Sequence, residues 1–202
     1  MKLRSTLVAG ALALAFASPA FANITVLTGA SDADLDTVTF NDGDTGFFLP
    51  GTVGPTAAEV TFNGAEALVI DSQRIEAAAG TYNFLLFTLA DAGLTFTAAE
   101  FNLNTALDGF TSIFAYDQFG NQFGGDFAVA GAGSNIFNVA ATDGQVIQSI
   151  VLMSSAALDD VGDIRLGGIA GIVPEPTSWA MMILGFGAAG AVLRQRRRTA
   201  AL

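Results

Sequence analysis

The sequence contains no cysteine and no histidine among its 202 residues. Without cysteine there is no disulfide, so the fold depends on its hydrophobic core. Without histidine, Ser-His-Asp and Cys-His catalysis and every histidine-ligated metal site are excluded. Paired carboxylates can hydrolyse a glycoside without histidine, but nothing distinguishes one pair among so many acids. The GxSxG elbow, the P-loop and the dinucleotide fingerprint are also missing, and we therefore predict that the protein is not an enzyme.

Basic side chains are scarce between residues 23 and 173. This segment has 18 acidic residues and only two basic ones, Arg74 and Arg165, so its net charge is −16. Such a segment cannot neutralise phosphates, which excludes nucleic acid as a partner. The same charge favours solubility and is compatible with bound divalent cations.

The first 22 residues have the pattern of a signal peptide. Lys2 and Arg4 form its basic region, and residues 7–16 form its apolar region. Ala20 and Ala22 mark the cleavage site. We predict that the secretion translocon and signal peptidase process this segment, so that the mature chain begins at Asn23. A permanent N-terminal anchor is the alternative, and the shortness of the apolar run argues against it.

Residues 23–173 are predicted to form one exported all-β domain. Short runs rich in aromatic and β-branched residues are separated by Gly, Asn and Asp, which is typical of strands. The predicted strands are NITVLTG, TVTF, EVTF, YNFLLFTLAD, LTFTAAEFNL, FTSIFAYD, QFGGDFAVA, NIFNVAA, VIQSIVLMSS and DIRLGGIAG. Strands of this number and spacing predict a single β-sandwich of the jelly-roll type.

Three local predictions refine this fold. In YNFLLFTLAD both alternating sets of side chains are mostly apolar, which predicts a central strand covered on both faces. In AYDQFGNQF, Asp117 begins a hairpin turn, Gly120 supplies a positive φ and Asn121 leads into the return strand. Short helical turns are predicted at Thr56–Glu59 and Ile75–Ala79.

The densest polar stretch is SDADLDTVTFNDGDTG. Its candidate ligands for Ca²⁺ are Asp32, Asp34, Asp36, Asp42 and Asp44. Hard oxygen ligands at this spacing can surround Ca²⁺, although Thr37 and Gly43 stand where an EF-hand loop needs Gly and Glu. The alternative is a solvated acidic loop, where Asp and Asn occur for conformational reasons. No other cofactor is predicted.

A second acidic cluster precedes the last predicted strand. It comprises Asp159, Asp160 and Asp163, close to Arg165. We interpret Arg165 and Arg74 as partners in structural ion pairs rather than as ligand contacts. A calcium site that uses Asp159 or Asp160 is the alternative.

The C-terminal residues predict a single transmembrane helix. Two prolines in VPEP exclude helix before residue 177. Residues 177–193 are uncharged and would form about 25 Å of helix, at the short end of a bilayer span. By the positive-inside rule the next residues are a cytoplasmic stop signal, followed by the cytoplasmic end at 199–202. The stop signal consists of Arg194, Arg196, Arg197 and Arg198.

Residues 174–198 resemble the PEP-CTERM sorting signal of Gram-negative bacteria that make exopolysaccharide, in its Trp-Ala-Met-Met variant. The matching residues are Pro174, Glu175, Pro176, Trp179 and Ala180. The resemblance implies a transient anchor in the inner membrane. It also implies that an exosortase-type membrane protease removes the helix and the arginines, so that the domain passes to the cell surface or extracellular matrix. Residues 73–172 further resemble a β-sandwich module common in PEP-CTERM proteins, which implies fold and location but no activity.

These features predict a non-enzymatic surface or matrix protein associated with exopolysaccharide or biofilm. The alternative is a lectin-like sandwich that binds carbohydrate, with or without calcium. Sugar sites need exposed aromatic platforms beside polar groups. The candidates for such platforms are Tyr82, Tyr116, Phe110, Phe119 and Phe123, although Phe is more often a core residue.

Overall fold

The computed structural model describes residues 23–31, 33–131, 133–171 and 182–187. Most of these residues lie in strands, so the all-β prediction is confirmed. The strands are β1 (Asn23–Thr28), β2 (Asp36–Thr39), β3 (Thr45–Val53), β4 (Ala58–Asp71), β5 (Arg74–Ala77), β6 (Tyr82–Leu89), β7 (Leu94–Thr95), β8 (Ala98–Thr105), β9 (Gly109–Asp117), β10 (Gln122–Val129), β11 (Asn135–Thr142), β12 (Ile147–Gly167) and β13 (Ala170–Gly171). Residues 182–187 form a short helix.

Strand β12 is the element that the two layers of the sandwich share. Its residues 147–154 pair with β9 on one side and β6 on the other. Its residues 158–167 pair with β8, with shorter pairings to β5 and β2. The register shifts between Met153 and Leu158, where the strand passes from one layer to the other. A strand of this length can serve both layers because the irregularity lets it bend.

The first layer has the strand order β10-β9-β12-β6-β4-β3. The second layer has the order β1-β11-β8-β12, with β5 and β2 beside the C-terminal half of β12. These pairings between neighbouring strands are antiparallel. Strands β7 and β13 form a separate two-stranded sheet.

The core lies between the two layers and is built mainly from leucine, isoleucine, valine and phenylalanine side chains. A chain of ring contacts crosses it, with centroids 5.3–6.2 Å apart. The chain consists of Phe40, Phe62, Phe87, Phe101, Phe137 and Phe127. Phe87 belongs to the first layer and Phe101 to the second, and their rings meet edge to face. This contact joins the layers without any disulfide.

The structure corrects three predictions of local structure. The segment 75–79 is not a helical turn, because Ile75 is fully buried in β5 and pairs with both β4 and β12. Residues 54–57 form a non-helical turn and Ala58 begins β4. The predicted strands VIQSIVLMSS and DIRLGGIAG are largely one strand, β12. Strand β3 was absent from the sequence prediction, because Gly and Pro interrupt its apolar pattern.

The predicted β9–β10 hairpin is confirmed. The backbone N–H of Gly120 donates to the carbonyl of Asp117 (3.1 Å), and Gly120 has φ 81°. The backbone N–H of Asp117 donates to the carbonyl of Asn121 (3.1 Å), which closes the turn. The hairpin register then places Tyr116 opposite Gln122.

Candidate binding surface

The predicted sorting and processing residues lie outside the described part of the chain. This holds for the signal-peptide site, the PEP motif and the arginine stop signal, that is Ala20, Ala22, Pro174, Glu175, Pro176, Trp179, Ala180, Arg194, Arg196, Arg197 and Arg198. Of the predicted transmembrane segment, residues 182–187 are described, and they are helical. Among the described residues no helix has the length and apolar character needed to cross a membrane.

The described part of the predicted calcium loop is used for local structure. The carboxylate of Asp42 accepts hydrogen bonds from the backbone N–H of Gln73 (3.1 Å) and from its side-chain amide (3.2 Å). Asp36 belongs to β2 and pairs with Leu166, and Asp44 lies in the turn before β3. Asp34 is exposed, and Asp32 lies outside the described residues. Within the described ranges no three acidic side chains are grouped to hold a metal ion, so the calcium site stays a prediction.

Both arginines of the domain form ion pairs in the second layer, as predicted. Arg74 pairs with the carboxylate of Asp160, which also accepts from the side-chain amide of Asn104 at 2.9 Å and 3.1 Å. Arg165 lies 3.4 Å from the carboxylate of the buried Glu100. These contacts neutralise the two arginines, and they assign Asp160 a structural partner.

Asp117 is a buried carboxylate at the end of β9. It accepts hydrogen bonds from the backbone N–H groups of Phe119 and Asn121 and from the side-chain amides of Asn121 and Gln145, at 2.6–2.8 Å. Burial by itself raises the pKa of Asp117, but the hydrogen bonds from Asn121, Phe119 and Gln145 outweigh it and hold the pKa below its ordinary value of 3.8. The charged form is therefore stabilised, and it fixes the hairpin turn.

The aromatic candidates named from the sequence separate into core and surface. Tyr82 is fully buried, and its hydroxyl donates to the carbonyl of Ile75 at 2.9 Å, so it is not a platform. Burial raises the pKa of this phenol well above its ordinary value of 10.0. Phe110 and Phe119 are exposed, with 60% and 61% of their surface accessible. Phe123 is half-buried against the core. Tyr116 is half-buried, and its hydroxyl donates to the side-chain carbonyl of Gln122 at 3.0 Å.

The outer side of the first layer presents three rows of side chains that cross the strands. We call this surface the aromatic face. Its apolar row consists of Gly124, Phe114, Val151, Leu86, Asn63 and Phe48, in the order of strands β10, β9, β12, β6, β4 and β3. Its polar row consists of Gln122, Tyr116, Ser149, Thr88 and Thr61. Its third row consists of Asp126, Ser112, Met153 and Phe84.

The aromatic face corrects the prediction that β6 is covered on both sides. Leu85 and Phe87 are fully buried, whereas Phe84, Leu86 and Thr88 remain partly exposed on the outer side. Their partial exposure means that the described part of the chain does not cover these three residues completely. The apolar outer set of this strand therefore belongs to an open surface.

The β10 end of the apolar row has no side chain over Phe114. Gly124 stands directly opposite Phe114 and has φ 118°. A Cβ atom there would lie 2.0 Å from the carbonyl oxygen of Ile113, so no other residue fits this backbone. Phe114 is consequently uncovered on its β10 side. The residues from Phe110 to Tyr116 give an alternating pattern in the sequence, but only the β9–β10 register shows which aromatic faces a glycine.

Charge is nearly absent from the aromatic face. Within its three rows the one carboxylate is Asp126 at the β10 edge, which accepts a hydrogen bond from the hydroxyl of Ser112 at 2.5 Å. The exposed Glu59 precedes Thr61 on the same side of β4, just beyond the polar row. Beyond the third row, Phe110 borders a shallow groove that is also lined by Asp108, Ala128 and Asn135. The arrangement offers apolar contact beside hydroxyl and amide groups, and it contains no cation.

Comparison with protein families identifies the C-terminal segment. Residues 173–198 match the family model described as the PEP-CTERM protein-sorting motif. The predicted sorting signal is therefore confirmed as a motif of this chain, and it marks an exported, membrane-sorted protein. A comparison with curated proteins finds no match.

The solved structures that this chain matches include family 29 carbohydrate-binding modules. The chain is 10% identical to CBM29_1 from Piromyces equi, covering 73% of this chain and 91% of that one, with a TM-score of 0.35. For a variant of CBM29-2 the identity is 11%, the coverage 77% and 98%, and the TM-score 0.24. For another CBM29-2 variant, complexed with cellulohexaose, these values are 12%, 73% and 89%, and 0.23. Similarity at this level supports no statement about a ligand of the present chain.

Proposed function

We propose that this chain is a non-enzymatic protein of the cell surface or extracellular matrix, associated with exopolysaccharide and delivered by its C-terminal sorting signal. The observation that carries the proposal is the PEP-CTERM motif at residues 173–198. Such a motif implies processing by an exosortase-type membrane protease. The acidic sandwich is then the exported domain, and the segment after it is the sorting signal.

The boundaries of the folded domain are compatible with cleavage at both ends. Strand β1 begins at Asn23 and pairs with β11, so cleavage after Ala22 leaves all of β1 in place. Strand β13 ends at Gly171, so cleavage near Pro174–Pro176 leaves β13 in place. The buried core residues lie between Ile24 and Leu166. Processing at the two predicted sites would therefore release a domain with its core intact.

Two of the buried carboxylates have structural hydrogen-bond partners, which supports a role without catalysis. The carboxylate of Asp117 accepts four hydrogen bonds within the hairpin and from Gln145. The carboxylate of Glu100 contacts Arg165 and the backbone N–H of Ser31. A general acid needs a raised pKa near a substrate, whereas the pKa of Asp117 is lowered. Partial burial raises the pKa of Glu76, and the nearby carboxylates of Asp71 and Asp160 raise it further. Glu76 lies in β5 of the second layer beside Arg74, away from the aromatic face.

The test is the intact mass of the native protein, recovered separately from the membrane and extracellular fractions. We expect an extracellular species that begins at Asn23 and ends near Pro174–Pro176. A chain found only in the inner membrane with its complete C-terminal segment would contradict the sorting proposal and leave an anchored periplasmic domain.

A carbohydrate-binding, lectin-like function is the second candidate. The aromatic face favours it, since an apolar row lies directly beside a row of hydroxyl and amide side chains. Substitution of Tyr116 or Phe119 distinguishes this candidate from a purely structural role. Loss of binding to the producer's own exopolysaccharide would support a lectin-like domain, and retention in the matrix without measurable sugar affinity would support a structural one. Calcium dependence through Asp34, Asp36, Asp42 and Asp44, with Asp32, stays part of this second candidate and is tested by adding a chelator.

A further inference from the structure

We propose that the aromatic face binds a neutral polysaccharide, with the apolar row beneath the sugar rings and the polar row beside their hydroxyl groups. The inference rests on the second candidate function, carbohydrate binding. It adds the place of the site, the residues that form it and the charge class of the ligand.

The apolar row provides the platform. Phe114, Val151 and Leu86 are neighbours on adjacent strands and are all partly exposed. A pyranose ring has a face of C–H groups, and this face packs on flat apolar surface while the hydroxyls point sideways. Gly124 leaves the β10 side of Phe114 open, so a ligand can reach its ring from the edge of the sheet. Phe48, with 65% of its surface exposed, extends the same row on β3.

Several polar groups next to this platform have no hydrogen-bond partner within the described chain. The hydroxyls of Ser149 and Thr61 and the amide of Asn63 make no hydrogen bond to another group of the described chain, and all three side chains are partly exposed. The hydroxyl of Thr88, by contrast, donates to the carbonyl of Gln148 at 2.9 Å. Asn63 stands in the apolar row itself, so its amide lies where a ring hydroxyl at the edge of the platform would fall.

The charge distribution selects a neutral ligand. Residues 23–173 carry a net charge of −16, and the charged groups on or beside the aromatic face are the carboxylates of Asp126 and Glu59. The two arginines of the domain are paired with Asp160 and Glu100 in the second layer. An acidic polysaccharide would meet repulsion from the whole domain and no cation at the site. A neutral polysaccharide is not repelled by the acidic domain and needs no cation at the site.

The same features disfavour a second copy of this chain as the occupant. Two domains of this charge repel each other, and a face-to-face dimer would bury the unpaired hydroxyls and the amide of the aromatic face. A dimer is nevertheless a measurable outcome, because it would disappear when Phe114 is truncated. Analytical ultracentrifugation therefore accompanies the binding test.

The experiment is affinity electrophoresis of the full chain, purified in a non-glycosidic detergent, through gels containing hydroxyethyl cellulose, galactomannan, the producer's neutral polysaccharide fraction or the acidic polymer alginate. We expect at least one neutral polymer to retard the protein and alginate to have no effect. Phe114→Ala should weaken binding roughly tenfold, the effect of losing ~1.4 kcal/mol of ring contact. Asn63→Ala should weaken it several-fold. Leu27→Ala, which removes an exposed apolar side chain from β1 in the second layer, is the matched control and should bind like wild type.

Three results would overturn the inference: retardation by none of the neutral polymers, binding unchanged in both Phe114→Ala and Asn63→Ala, or a dimer that depends on Phe114. Thermal melting checks the fold of each variant, and if Phe114→Ala unfolds, Asn63→Ala decides alone. The mass measurement of the sorted protein is independent of these outcomes. An exported, processed chain that binds no neutral polymer would remove this inference and leave the sorting proposal intact.

Discussion

The two outer sides of the sandwich differ in charge although one chain and one core support both. The outer side of the second layer holds Arg165 against Glu100 and Arg74 against Asp160, with Asn104 and Glu76 beside them. The outer side of the first layer is the aromatic face, where the described charged groups are Asp126 in the third row and Glu59 beyond the polar row, and no arginine lies beside them. Both arginines of the domain therefore lie on one side only.

This contrast indicates which side of the sandwich is available to a partner. Both arginines of the second layer are paired with carboxylates, and a loop contributes to this, because the backbone N–H of Ser31 donates to Glu100. The first layer leaves hydroxyls, an amide and apolar rings without such partners in the described chain. Polar groups that are satisfied internally stabilise a fold, whereas open ones beside apolar surface are typical of binding sites.

The largest effect is expected from the core that the two sides share. Phe101→Ala removes a fully buried ring that contacts Phe87 and Phe137, and should lower the free energy of unfolding by about 3–5 kcal/mol. Phe114→Ala truncates a ring of the aromatic face and should cost about 1 kcal/mol. Urea denaturation measures both. Equal losses would mean that Phe114 is a core residue and that the aromatic face is not an open surface.

A smaller difference in stability is expected between variants that remove a carboxylate from each of the two sides. Asp160→Ala removes the acceptor of Arg74 and Asn104, and should destabilise the domain by about 1–3 kcal/mol. Asp126→Ala removes an exposed carboxylate whose one partner is Ser112, and should change stability by less than about 0.5 kcal/mol. Thermal or urea unfolding of the two variants gives the comparison. A larger loss in Asp126→Ala would show that the first layer also depends on its charge.

The buried carboxylate of Asp117 stabilises the β9–β10 hairpin of the first layer, and this contribution to stability should depend on pH. Asp117→Asn places an amide donor among four donors, and at pH 7 should cost about 1–3 kcal/mol. Because the folded pKa of Asp117 is lowered, its stabilisation is full above the unfolded value and is lost as the pH falls through 3.8 toward the folded pKa. The stability difference between wild type and Asp117→Asn should therefore shrink in acid. A difference that stays constant down to about pH 3 would exclude the stabilised charge.

The sequence predicted the strands better than their arrangement. Apolar alternation and turn residues are local, so β6, the β9–β10 hairpin and the role of Asp117 as a turn residue were recognisable. The continuity of β12 was not, because Ser154 to Ala157 lie in a weakly apolar stretch that only pairing with both layers keeps extended. Helical turns were predicted where β5 forms, because a short segment takes its conformation from its partners β4 and β12.

The candidate site was only partly predictable. Tyr116 was named from its residue type, and Tyr82 was named for the same reason although its ring is fully buried. Phe114 and Asn63 were missed, because only the strand register shows their neighbours. It places Gly124 opposite Phe114 and Phe48 opposite Asn63. The pairing of both arginines was predicted, since two cations among so many acids have many partners within reach.

The most direct test is co-sedimentation of the native extracellular protein with the exopolysaccharide of its producer, at low salt, at 1 M salt and with a chelator. Because the aromatic face contains no cation, we predict that the wild-type protein stays bound under all three conditions and that the Phe114→Ala variant does not co-sediment. Release by high salt or by the chelator, with no effect of Phe114→Ala, would contradict the account and point to charge or to bound calcium as the link.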